Sequence, residues 1–309
     1  MTSELATIRI ALRAPIHFDG QGGEPVHAPV VLATIGAIRT RLILDTGSDV
    51  HLLTTELADA AGLALAAIDA GTDHSGSSMD SWVVGDVPVT FAEASGEASF
   101  VLHDVVAIPA PAAFIRQGIG GILSPQRLHA SAFAVIDQVG EELFLADGEA
   151  LALRDWLLAR RPTPDALVLP RDAGSDVPLV DAAIEPHPAV PALMNTGGRH
   201  TEFEPRTVPG LVAADAERIG TGVSGAAVMG ARAGAQVLAL AGHRIAMASL
   251  MLRDGMADPA AMIGQDVLRG TVVAVGPDPS TPVLWQVGTL DSGPDATAPP
   301  SSPGPLGGV

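Results

Sequence analysis

Residues 29–47 read PVVLATIGAIRTRLILDTG, and residues 178–197 read PLVDAAIEPHPAVPALMNTG. In each, a short apolar strand, a polar turn and a second apolar strand run into a corner: Asp45-Thr46-Gly47 in the first half, Asn195-Thr196-Gly197 in the second. Further along, Ile122–Leu128 (ILSPQRL) matches Met262–Leu268 (MIGQDVL). Each of these is followed by a hairpin pattern, FAVIDQVGEELFL and TVVAVGPDPSTPVLWQV. Two elements that recur in the same order are a stronger signal than one motif, and they indicate a duplicated β-unit.

Outward from the corners the texture stays β-rich. Arg41–Leu44, Trp82–Phe91, Phe100–Ile108 and Ala134–Leu145 are apolar runs bounded by Gly, Pro and Asp, and Asp137–Gly140 reads as a hairpin turn. Only Glu149–Arg160 (EALALRDWLLAR) has helical spacing, with Pro162 closing it. This organisation predicts a lead strand over 1–24, a first lobe over 25–161 and a second over 162–287. A length of 309 residues suits two lobes. Twelve of the last nineteen residues are Gly, Pro or Ser, so 288–309 is expected to be a disordered tail.

Composition narrows the function. Acidic residues outnumber basic ones 35 to 17, a net charge of −18, and no lysine is present. Such a surface repels phosphate backbones, and with 3% aromatics there is little to stack on bases, so nucleic acid is excluded as a partner. The absence of cysteine removes disulfides, thiolate catalysis and Cys-ligated metals. Nine histidines show neither HExxH nor a paired ligand spacing, so no metal and no other cofactor is expected. The start, MTSELATIRIALRAPIHF, lacks a basic segment followed by an apolar run, and no stretch is apolar enough to span a bilayer. A cytoplasmic monomer without membrane contact is the expectation.

The first corner has a chemical logic. An apolar strand delivers the Asp45 carboxylate, Gly47 lets the backbone turn tightly beside it, and Ser48 is placed to donate to its outer oxygen. With LIL before it, LMNTG as its repeat and the paired ILS and MIG elements, the sequence resembles the pepsin-like, two-lobed aspartic peptidases over about residues 25–287. The resemblance implies an all-β fold of two pseudo-twofold-related, barrel-like lobes around a central cleft. It also implies one acid from each corner at the cleft floor, sharing a proton and activating a water between them. Thr46 and Thr196 would bind across the corners, with Gly47, Ser48, Gly197 and Gly198 supporting the pair. The ligand would be an extended peptide or protein segment.

Against that pattern, the second corner carries Asn195 in place of an acid, and Gly198 stands where Ser48 has a hydroxyl. An amide donates hydrogen bonds but cannot shuttle a proton. The chain has no tyrosine for the flap over the cleft; the corresponding hairpin is expected at Asp73–Val89, with His74, Ser75, Gly76 and Trp82 facing the ligand. Ser124 occupies a position where the family has glycine, whereas Gly264 is retained. The resemblance therefore implies an aspartic endopeptidase frame in which Asp45 activates water poorly for want of an acidic partner. The alternative is an inactive relative that binds or regulates through the same cleft.

Other signals are weaker. Gly220–Gly225 (GTGVSG) matches GxGxxG but lacks the strand, helix and acid of a dinucleotide site, and reads as a glycine-rich loop of the second lobe's hairpin. His51 and His200 follow their corners by six and five residues, and His200 is a candidate surrogate proton carrier for Asn195. Asp266 and Arg269 match residues that the family uses structurally, and are expected to form a hydrogen-bonded turn under the second lobe.

Overall fold

Strand Ile38–Leu44 alternates cleanly, with Thr40, Leu42 and Leu44 buried and the residues between them partly or fully exposed. That period of two is what pins its register against one apolar layer. The same rule builds most of the molecule, and the computed structural model is all-β. It describes residues 8–73, 75–93, 96–160, 165–256 and 258–287. The expected tail and His74 lie outside these.

Two sheets hold the described strands, one of thirteen and one of nine. Each contains the same three-strand arrangement around its corner. In the first, Ile38–Leu44 runs parallel to Ile119–Leu123, which pairs antiparallel with Leu52–Thr54. In the second, Val190–Met194 runs parallel to Ala261–Ile263, which pairs antiparallel with Glu202–Phe203. The strand leaving each corner then pairs parallel with a further one, Gly96–Ile108 in the first half and Leu250–Leu252 in the second. The repeated motifs thus lie at corresponding places.

The sheets do not divide where the sequence halves do. Asp165–Leu169, Thr271–Val275 and Val283–Val287 join the larger sheet, through pairing of Thr271–Val275 with Phe133–Asp137. Strand Arg9–Asp19 lies between Glu142–Asp147 and Pro25–Ile35 in that sheet. One continuous apolar core runs through both sheets, from Leu12, Leu42 and Phe91 to Ile184, Met194 and Trp285. The expected helix is present as Ala150–Arg160 and buries Leu153 and Leu157 against Phe133, Phe144 and Leu284. Its Trp156 meets Phe144 edge-on at 5.6 Å. Among the described residues, no helix is long and apolar enough to cross a membrane.

Candidate functional site

Each corner hangs from the strand beside it. The Asp45 N–H donates to the Leu123 carbonyl at 3.0 Å, and the Asn195 N–H donates to that of Ile263 at 2.9 Å. The threonines then tie the corners to each other. Thr46 N–H donates to Thr196 Oγ1 at 3.1 Å, and Thr196 N–H to Thr46 Oγ1 at 3.0 Å. The hydroxyls pass their own protons on, Thr46 to the Met194 carbonyl at 2.5 Å and Thr196 to that of Leu44 at 2.7 Å. Both threonines are fully buried, so every one of these polar groups needs the partner it has.

Above this brace the side chains of Asp45 and Asn195 pack over opposite glycines. A Cβ on Gly197 would lie 2.3 Å from Cγ of Asp45, and one on Gly47 would lie 2.7 Å from Cγ of Asn195. Side chains cannot approach that closely, so glycine at both positions is what lets Asp45 and Asn195 come together. The backbone also fixes their orientation. Asp45 Oδ1 accepts from the Gly47 N–H at 2.7 Å. Asn195 Oδ1 accepts twice, from Gly197 N–H at 2.8 Å and Gly198 N–H at 2.9 Å, while its Nδ2 donates to the thioether of Met262 at 3.0 Å. Asn195 therefore presents donors only, its acceptor being occupied. Met262 also lies against residue 198, where a Cβ would sit 2.9 Å from its Cε, at the movable end of the side chain.

Sequence expectation and geometry part at Ser48. Its hydroxyl donates to the Val50 carbonyl at 2.7 Å and so serves the outgoing chain instead of an Asp45 oxygen. Two glutamines that the sequence reading passed over complete the support. Gln126 Nε2 donates to the carbonyls of Ser48 at 2.8 Å and Thr46 at 3.4 Å, and Gln265 Nε2 donates to that of Thr196 at 2.6 Å. They could have been found inside the repeated motifs, ILSPQRL and MIGQDVL, although their offsets differ by one residue.

The histidines also differ from expectation. His51 is fully buried, and its Nδ1 accepts the Ser124 N–H at 3.2 Å while Nε2 faces the Arg127 carbonyl at 3.2 Å. This fixes the neutral tautomer with the proton on Nε2. Burial lowers its pKa to about 4. The counterpart in the second half is Thr201, whose Oγ1 accepts the Gly264 N–H at 3.1 Å, and not His200. His200 is partly buried beside Arg199, and burial followed by that charge lowers its pKa to about 4. It makes no hydrogen bond to Asn195 among the described residues, and a pKa lowered this far leaves it neutral at neutral pH and not an imidazolium acid.

Asp266 accepts from Thr201 N–H at 2.9 Å and Thr201 Oγ1 at 2.6 Å, a structural bond under the second corner. Burial raises its pKa despite those donors. Arg269 lies over the Phe18 ring at 4.5 Å. Ser124 keeps its hydroxyl buried without a partner among the described residues.

Residues 73–89, expected to form a hairpin by themselves, are the tip and part of one arm of a longer one whose strands are Ala66–Thr72 and Ser78–Glu93. At its tip Asp73 Oδ1 accepts from Ser75 N–H at 2.9 Å and Ser75 Oγ at 2.5 Å, and Gly76 takes a left-handed φ of 79°. Trp82 lies on the arm, between Ala67 and Ala107. The glycine-rich loop is the tip of a second hairpin, Ala213–Thr221 with Ala227–Ala233, which rules out a strand-turn-helix dinucleotide site. Among the described residues, no three acidic or histidine side chains are grouped to hold a metal ion. No family model matches the chain, and no curated protein matches it.

Proposed function

We propose that the chain is a pepsin-like aspartic peptidase frame that takes an extended peptide in a cleft between two lobes, with the paired corners as its floor. The observation that carries this reading is the reciprocal Thr46–Thr196 bonding, which presses Asp45 and Asn195 over each other's glycines. Asp45 is the group able to take a proton from a water lying between the corners. Asn195, held by two backbone N–H groups, is able to donate to a peptide carbonyl but not to exchange a proton. Hydrolysis is therefore impaired, since losing one general acid–base partner is worth ~10²–10⁴ in rate.

One observation favours a second reading, capture without cleavage. Asn195 Nδ2 donates to the Met262 thioether, and the second oxygen of an acid in its place would face a sulfur with no proton to offer. Extended-chain capture needs only backbone donors and side-chain pockets, which the lack of a second acid leaves intact. A mixed peptide library offered from pH 3 to 7 to wild type, Asp45→Ala and Asn195→Asp separates the two. Cleavage by wild type that Asp45→Ala abolishes supports the first. Retention of peptides with cleavage appearing only in Asn195→Asp supports the second, and no retention by any variant overturns both.

A further inference from the structure

The tips of the two hairpins, 151 residues apart in sequence, are joined. Asp73 Oδ2 accepts the Ser224 N–H at 2.8 Å, while its other oxygen organises its own turn through Ser75 and Ser77. The approach is tight: a Cβ on Gly222 would lie 2.0 Å from Asp73 Oδ2, so only glycine at 222 allows the contact. The neighbouring Val223 packs against the apolar cluster of Leu52, Ile108 and Ile122, which also receives Met79 and Val50. Val50 and Leu52 follow the first corner in the chain, so a side chain from the second half packs against the segment that leaves that corner. What is left between Ser78–Asp80, Pro109–Pro111 and the second tip is a cavity of about 300 Å³, bounded by Val223 and Ser224 themselves.

We propose that Asp73 latches the two hairpin tips together across the cleft, so that ligands enter only as single extended chains and folded proteins are excluded. This rests on the peptide-binding reading above. A hydrogen bond to a charged acceptor is stronger than a neutral one, and here it ties a turn already closed by its own Gly222–Ala226 and Gly225–Gly222 bonds to the tip of the other hairpin. When the bond opens, Val223 leaves its apolar seat and an incoming side chain takes it. A peptide strand slides under separated tips, whereas a loop on a folded surface would have to displace both hairpins at once.

Hydrogen exchange of the Ser224 amide tests the latch without any ligand. In Asp73→Ala exchange at Ser224 is expected to rise about tenfold or more, and in Asp73→Asn, which keeps an acceptor, it should stay closer to wild type. The second arm measures association with α-lactalbumin, native and reduced-carboxymethylated. Wild type should retain only the unfolded form, and Asp73→Ala should bind that form faster by about the same factor. Equal Ser224 exchange in wild type and Asp73→Ala would overturn the latch, as would retention of the native form by wild type. Retention of neither form with accelerated exchange in Asp73→Ala would instead overturn the peptide-binding reading and leave the tip contact standing.

Discussion

The two corners share a scaffold and differ in the side chains set around it. Both have a threonine donating across to the other half, a glycine under the opposite side chain and a glutamine bracing a corner carbonyl. Where one has Asp45, Ser48 and His51, the other has Asn195, Gly198 and Thr201. The difference teaches that the brace answers to the packing of the fold, while the groups above it are free to change. The exchange of His51 for Thr201 shows how: a ring nitrogen and a hydroxyl each accept the same backbone N–H, that of residue 124 or 264.

Making the corners alike in chemistry should have the largest effect. Asn195→Asp supplies the missing proton partner and is expected to raise peptide hydrolysis ~10²–10⁴-fold over wild type, measured by product release at the acidic end of the pH range. Breaking the shared brace comes next. Thr46→Val and Thr196→Val each strand a buried N–H and lose a hydroxyl bond, which should cost about 4 kcal/mol in urea unfolding. The double variant should cost close to the sum, because the two changes break different bonds and share only the 3.4 Å contact between the hydroxyls.

The histidine that has no counterpart sharpens the comparison through pH. His51 has a folded pKa of about 4 against an ordinary value of 6.5. The unfolded chain therefore binds a proton that the native state refuses between those limits. Stability is unaffected by this group above pH 6.5, falls as the pH drops toward 4, and levels off below it. The loss should reach about 3 kcal/mol. It should be smaller in His51→Asn, which keeps an acceptor for Ser124 and does not titrate. The smallest effect is expected from Ser48→Gly, which copies the second corner's residue into the first. Because the hydroxyl serves Val50, peptide binding should stay within about twofold and stability should fall by less than about 1 kcal/mol.

Much of this was legible in the chain because strand and corner signals are local. The paired Thr-Gly corners, the ILS and MIG elements, the hairpin around 137–140 and the helix ending at Arg160 all depend on residues close in sequence. What escaped was set by distance. Matching His51 to His200 followed residue type, whereas equal spacing from the corner leads to Thr201. The direction of the Ser48 hydroxyl depends on where residue 50 turns, and the pairing of Thr271–Val275 with Phe133–Asp137 follows from how two apolar layers meet. The contact of Asp73 with Ser224 had no local signal beyond the unusual glycines of residues 220–225.

The larger sheet has one consequence for how the protein is made. Its strands from the beginning and middle of the chain are completed by Thr271–Val275 and Val283–Val287. A ribosome would have to release the chain as far as Val287 before that surface is covered. Pairings so remote in sequence are slow to form. Partly synthesised chains would meanwhile expose an unfinished edge at Phe133–Asp137, where self-association competes with maturation.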